Sequence, residues 1–124
     1  MLRRAEDLDN PTICKVTRRN DGSAMYFSRS VIPHVRGTEG PARLDTVRYW
    51  KHIGLYAYTP AALARFVALE PHPYEEAESL EQLRLLCDGA RYQCVETEHE
   101  PVAVDTPHDA DKVRAILMER ERSC

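Results

Sequence analysis

Alternation of apolar and polar positions over residues 12–17 predicts a first strand. Asn20-Asp21-Gly22 is a hairpin turn signal and residues 24–28 resume as a second strand, so the chain opens with a β-hairpin. Periodicity is then lost across residues 30–48, where Pro33, Gly37, Gly40 and Pro41 fall, which predicts a long surface loop of the kind that often carries function. Residues 49–58 alternate again, with Ile53, Leu55 and Ala57 on one face and His52, Gly54, Tyr56 and Tyr58 on the other. This is the pattern of a strand.

Thr59-Pro60 reads as N-cap and first helical position of a helix over 61–69 that stops before Pro71. A second helix is expected from Pro73 to Asp88, with Gly89 as its C-terminal stop. On it Leu80, Leu83 and Cys87 share one face and Glu78, Glu81 and Gln82 the other. Leu85 falls among those polar residues, which leaves open whether their face is covered or solvated. Residues 91–97 read as a further strand and 102–104 as a short apolar run leading to Asp105. Thr106 fits an N-cap, with Pro107 opening a last helix over 107–121. The order is that of an α/β protein, whose ligand sites lie beyond the carboxyl ends of strands. Two places qualify, the end of 49–58 and Asp105.

A length of 124 residues suits one modest domain without staples. Lys plus Arg number 17 against 20 Asp plus Glu, for a formal charge of -3 with the signs mixed, which argues against nucleic acid or a membrane surface as the partner. No apolar run approaches the ~20 residues of a membrane span, and the polar N-terminus is unlike a signal peptide, so a cytoplasmic protein is expected. Cys14, Cys87, Cys94 and Cys124 show no C-x-x-C spacing, which argues against zinc. Cys14 and Cys94 fall in predicted strands and Cys87 on a helix, where reduced cysteine serves as a small apolar residue. No phosphate-binding glycine loop is present.

Four residues of extended strand set His52 and Tyr56 ~13 Å apart, so they can bracket a polyhydroxylated molecule, with Gly54 allowing close approach; equally, both can pack under a covering helix. Glu78, Glu81 and Gln82 can hold sugar hydroxyls, or form a solvated helix face. Asp105 can ligate Mg²⁺, which takes only one or two protein carboxylates, or can cap a helix. Arg29 offers a planar fork for a carboxylate, or is an ordinary surface arginine.

Read together, Asn10-Pro11, Tyr26-Phe27-Ser28-Arg29, Ile32-Pro33, Lys51-His52-Ile53-Gly54-Leu55-Tyr56-Ala57-Tyr58, Glu78-Ser79-Leu80-Glu81-Gln82-Leu83-Arg84 and Val104-Asp105-Thr106-Pro107 resemble the C-terminal half of the 3-deoxy-manno-octulosonate cytidylyltransferases, or CMP-Kdo synthetases. The resemblance covers residues 10–117. It implies an α/β fold: the C-terminal half of a nucleotide-diphospho-sugar transferase-like mixed sheet, with flanking helices and a β-hairpin. It also implies a nucleotidyltransferase of lipopolysaccharide synthesis that uses CTP and the sugar acid Kdo with Mg²⁺. His52, Tyr56, Glu81 and Gln82 would hold the sugar acid, Arg29 would face it, and Asp105 would share the metal. The N-terminal CTP-binding half, with its phosphate loop and second metal-binding aspartate, is expected to be absent here and supplied by another chain. Family members pair through this half, so a homodimer around 49–58 is expected. His108 departs from the family's acidic preference and touches only a helix first turn. Two other readings stay open, a non-catalytic dimerisation remnant and half of an enzyme for another sugar acid such as a sialic acid.

Overall fold

Backbone pairing begins with the expected hairpin. In the computed structural model, which describes residues 1–99, 104 and 107–122 (backbone only at 120 and 121), β1 (Lys15–Arg18) runs antiparallel to β2 (Ala24–Ser28), with Val16 opposite Phe27. Gly22 closes the turn at φ 81, and a Cβ there would stand 2.8 Å from the Gln93 side chain. Asp21 Oδ1 accepts from both the amide and the hydroxyl of Ser23, at 2.8 and 2.6 Å. A short β3 (Trp50–Lys51) pairs with the other edge of β1, also antiparallel, in the order β2-β1-β3. The α/β class with flanking helices and a hairpin is borne out; the sheet among the described residues is these three strands.

The strand expected over 49–58 is therefore corrected to Trp50–Lys51. Its last bond to the sheet is the His52 amide to the Cys14 carbonyl at 2.8 Å. Beyond that point the partner chain has turned away, because Asn10 Oδ1 accepts the Thr12 amide and hydroxyl and the Asn10 carbonyl accepts the Ile13 amide. Residues 53–58 then have no ladder to join. The strand expected over 91–97 is likewise reduced to one bridge, Gln93 to Ser23. That segment bonds to the hairpin backbone only near the turn, through Ala24 N to Tyr92 O and Cys94 N to Gly22 O.

Two short helices, α1 (Ala5–Asp9) and α2 (Arg43–Thr46), lie outside the elements the pattern predicts, and with a 3-10 turn at Gly40–Ala42 the second interrupts the expected 30–48 loop. Arg43 donates to both oxygens of Asp9 at 3.1 and 2.5 Å, which ties α2 to α1 and holds the Asp9 carboxyl below its ordinary range. Between them lies a small core of Leu2, Leu8 and Tyr49, with the Tyr49 hydroxyl donating to the Pro33 carbonyl at 3.0 Å.

α3 (Pro60–Ala68) starts as expected, with Thr59 Oγ1 accepting the Ala62 amide at 3.2 Å. The helix expected over 73–88 is two helices, α4 (Pro73–Glu78) and α5 (Gln82–Cys87), with Ser79 between them in the left-handed region at φ 50. Arg29 is the physical reason. Its Nε and Nη2 donate to the carbonyls of Glu78 and Ser79 at 2.6 and 3.2 Å, acceptors that a continuous helix would offer to residues 82 and 83. Gly89, at φ 86, ends α5 as expected. α6 (Pro107–Arg122) is the last helix.

The main core joins Val16, Ala24 and Phe27 of the hairpin to Leu80 and Leu83, with Cys14 beside them. Leu85 is also buried, so the polar side of α5 is covered. Cys14 just precedes β1, and burial pushes its thiol up to about 11, consistent with an apolar role. Cys94 is half-buried outside any strand and Cys87, expected on the core face, is exposed.

Candidate functional site

Because 53–58 leaves the sheet, the chain folds back on itself, with the Leu55 amide donating to the Ile53 carbonyl at 2.7 Å across Gly54. His52 and Tyr56, expected ~13 Å apart on an extended strand, instead share a hydrogen bond between Nε2 and the phenol oxygen at 2.8 Å. The imidazole stands edge-on to Phe27 at 5.1 Å. Burial lowers the His52 pKa and is the main cause raising that of Tyr56, so both are neutral near pH 7. A neutral imidazole presents one donor and one acceptor.

Tyr56 stacks on Tyr58 at 5.9 Å, and Tyr58 stacks on Phe66 of α3 at 6.2 Å. Tyr92 closes the set, edge-on to Phe27, Tyr56 and Tyr58. The result is a ledge of rings held by side chains, on which Tyr56 remains 36% exposed. Tyr58 shares the alternating face of His52 and Tyr56. Tyr92 and Phe66 carry no local signal of their part, since polar neighbours flank the first and a helix pattern absorbs the second.

Glu78, Glu81 and Gln82 do not share a helix face, because the break at Ser79 sends them three ways. Glu78 turns to the hairpin, where its carboxylate accepts from the Ser28 hydroxyl at 2.6 Å and the Arg29 amide at 2.8 Å. Glu81 is exposed at the start of α5, and its charge is among those that raise the Tyr56 pKa. Gln82 points inward at 3% exposure, and its Nε2 has no hydrogen-bond partner among the described residues. A buried amide donor left open costs stability unless something else accepts from it. Arg29 gives its Nε, Nη1 and Nη2 to the carbonyls of Glu78, Pro11 and Ser79, leaving only its remaining N–H donors for a ligand.

Asp105 lies outside the described residues. Among those described, no group of three or more His, Cys, Asp or Glu side chains forms a metal cage. A cleft of about 300 Å³ is lined by Pro71, Glu75, Glu76, Ser79, Leu80 and Glu81, which includes Glu81 but no other candidate ligand. Among the described residues no helix is long and apolar enough to cross a membrane.

A family profile described as Cytidylyltransferase matches residues 1–98. The 3-deoxy-manno-octulosonate cytidylyltransferase of Chlorobium luteolum is 45% identical over 116 residues, which are 94% of this chain and 44% of that protein. The protein of the same name from Porphyromonas gingivalis is 42% identical over 112 residues, 90% of this chain and 44% of that one. Among solved structures, CMP:2-keto-3-deoxy-manno-octonic acid synthetase complexed with CTP matches with a TM-score of 0.83 and 37% identity, covering 94% of this chain and 46% of that one. The chain spans about half the length of the curated relatives it matches.

Proposed function

The chain belongs to the cytidylyltransferase family, and we propose that it forms the sugar-acid side of a 3-deoxy-manno-octulosonate cytidylyltransferase, its C-terminal half, serving lipopolysaccharide synthesis in the cytoplasm. In this reaction the anomeric hydroxyl oxygen of Kdo bonds to the α-phosphorus of CTP, the bond from that phosphorus to the bridging oxygen breaks, and pyrophosphate leaves with CMP-Kdo as product. Such chemistry rests on positioning and on neutralising phosphate charge.

The open Nε2 of Gln82 carries the reading, because it is a buried donor that a sugar oxygen can satisfy. The neutral His52–Tyr56 couple supplies further donor and acceptor positions for hydroxyls, and Glu81 an exposed acceptor on the Tyr56 side. The free N–H donors of Arg29 would meet the sugar carboxylate. Asp105, a single hard oxygen donor, would hold Mg²⁺, which when bound neutralises charge on the phosphates. The triphosphate grip belongs to the other half of the enzyme. A homodimer would cover Leu55 and Val67, apolar side chains 86% and 74% exposed. That surface also favours a second reading, an oligomerisation module without turnover.

Titrating Kdo into the chain separates the two. Saturable binding is expected, weakened roughly tenfold or more by Gln82→Leu, while a sialic acid binds more weakly. A soluble, folded chain that binds no Kdo, and that releases no pyrophosphate from CTP when mixed with the complementary half of the Chlorobium luteolum relative, sinks the enzymatic reading.

A further inference from the structure

Glu78 and Arg29 clasp each other in both directions. The Glu78 carboxylate accepts from the Ser28 hydroxyl and the Arg29 amide at 2.6 and 2.8 Å, while the Arg29 guanidinium donates to the main-chain carbonyls of Glu78 and Ser79 at 2.6 and 3.2 Å. Ser28 is buried at 3% exposure, and its hydroxyl oxygen also accepts the Ser30 amide at 3.0 Å. Behind the clasp, the wholly buried Lys15 donates through Nζ to the Arg29 and Asn10 carbonyls, both at 2.8 Å, and so holds the Arg29 backbone in place.

A left-handed serine is disfavoured on its own, and beyond the local bond from the Leu80 amide to the Glu75 carbonyl at 3.1 Å the break at Ser79 is held by contacts from outside the two helices. The clasp supplies them. Were α4 to run on unbroken, Gln82 would share a face with Glu78, four residues earlier, and could not turn inward while Glu78 turned to the hairpin.

We propose that Glu78 is a positioning residue for the sugar-acid site: by fastening the end of β2 to the α4–α5 turn, it sends the Gln82 amide inward and leaves Glu81 outward. The inference rests on the sugar-acid reading above and names a residue that serves it without touching the ligand.

Two variants of the chain, Glu78→Ala and Glu78→Gln, test it by amide hydrogen exchange and by Kdo titration. The exchange readout is at Leu80, Leu83 and Arg84, whose amides donate to the carbonyls of Glu75, Leu80 and Glu81, with Leu63 of α3 as the control. Glu78→Ala is expected to speed exchange at the three amides but not at Leu63, and to raise the Kd for Kdo roughly tenfold or more. Glu78→Gln keeps an acceptor for the Arg29 amide and should bring both readouts back to within about threefold of the parent. Should Glu78→Ala not fold, Ser28→Ala removes a single donor and should give the same pattern at smaller amplitude. Unchanged exchange in Glu78→Ala overturns the proposal. So does an equal loss of Kdo affinity in both variants without a change in exchange, which would make the carboxylate itself a ligand. A parent chain that binds no Kdo counts against the sugar-acid reading alone, and exchange still decides whether Glu78 sets the turn.

Discussion

The hairpin and the aromatic ledge lie side by side, yet they are held by different forces. β1 and β2 exchange backbone bonds along their length and bury Val16, Ala24 and Phe27 against Leu83. The ledge of residues 52–58 loses its backbone ladder after His52 and is kept in place by ring contacts and by the His52–Tyr56 bond. A segment freed from a sheet can bring side chains together that strand geometry keeps apart, and this one does so for a histidine and a tyrosine. The cost is local stability, since few buried backbone bonds resist its opening.

The largest effect expected on this contrast is on the hairpin side. Leu83→Ala empties the centre of the main core, where Leu83 has no exposed surface, and should lower unfolding free energy by about 2–5 kcal/mol in denaturant titration. A loss confined to the ledge would contradict the assignment of Leu83 to the shared core. Next is Lys15→Met, which leaves the Asn10 and Arg29 carbonyls without their donor and should cost about 1–3 kcal/mol. An unchanged midpoint would show that the buried ammonium is dispensable.

The smallest effect belongs to the ledge. Because burial lowers the His52 pKa below its ordinary 6.5, the unfolded chain binds the proton more readily than the folded one. The stability that His52 contributes is present above that ordinary value and is lost as pH falls through the folded pKa. Thermal midpoints should therefore drop between about pH 7 and pH 5, and His52 should titrate below 6.5 by NMR. A His52 midpoint at or above 6.5 would mean that the ring is solvated and the ledge open.

How much of this was legible in the sequence follows the range of the forces involved. Asn20-Asp21-Gly22 sets its turn within a few residues, Thr59-Pro60 caps α3 from its own side chain, and Gly89 stops α5 with a positive φ that needs no partner. Pattern also put Leu80 and Leu83 on one helix face, where both are buried, and placed His52, Tyr56, Glu81 and Gln82 among the candidates. None of these needed knowledge of a distant neighbour. Alternation over 49–58 predicts a strand because it reports which side chains could share a face, not whether a backbone stands beside them to pair with.

Tertiary structure alone decided the rest. The turn at Asn10 withdrew the partner of residues 53–58, and that brought His52 and Tyr56 into contact. A guanidinium 49 residues upstream of Glu78 took the carbonyls that one long helix would have used, so Glu78, Glu81 and Gln82 parted company. Local signals act through a residue's own dihedrals and near neighbours, and those the amino-acid order specifies directly. Competition for a hydrogen-bond acceptor is settled only when distant segments meet, and at this site that competition aims the side chains.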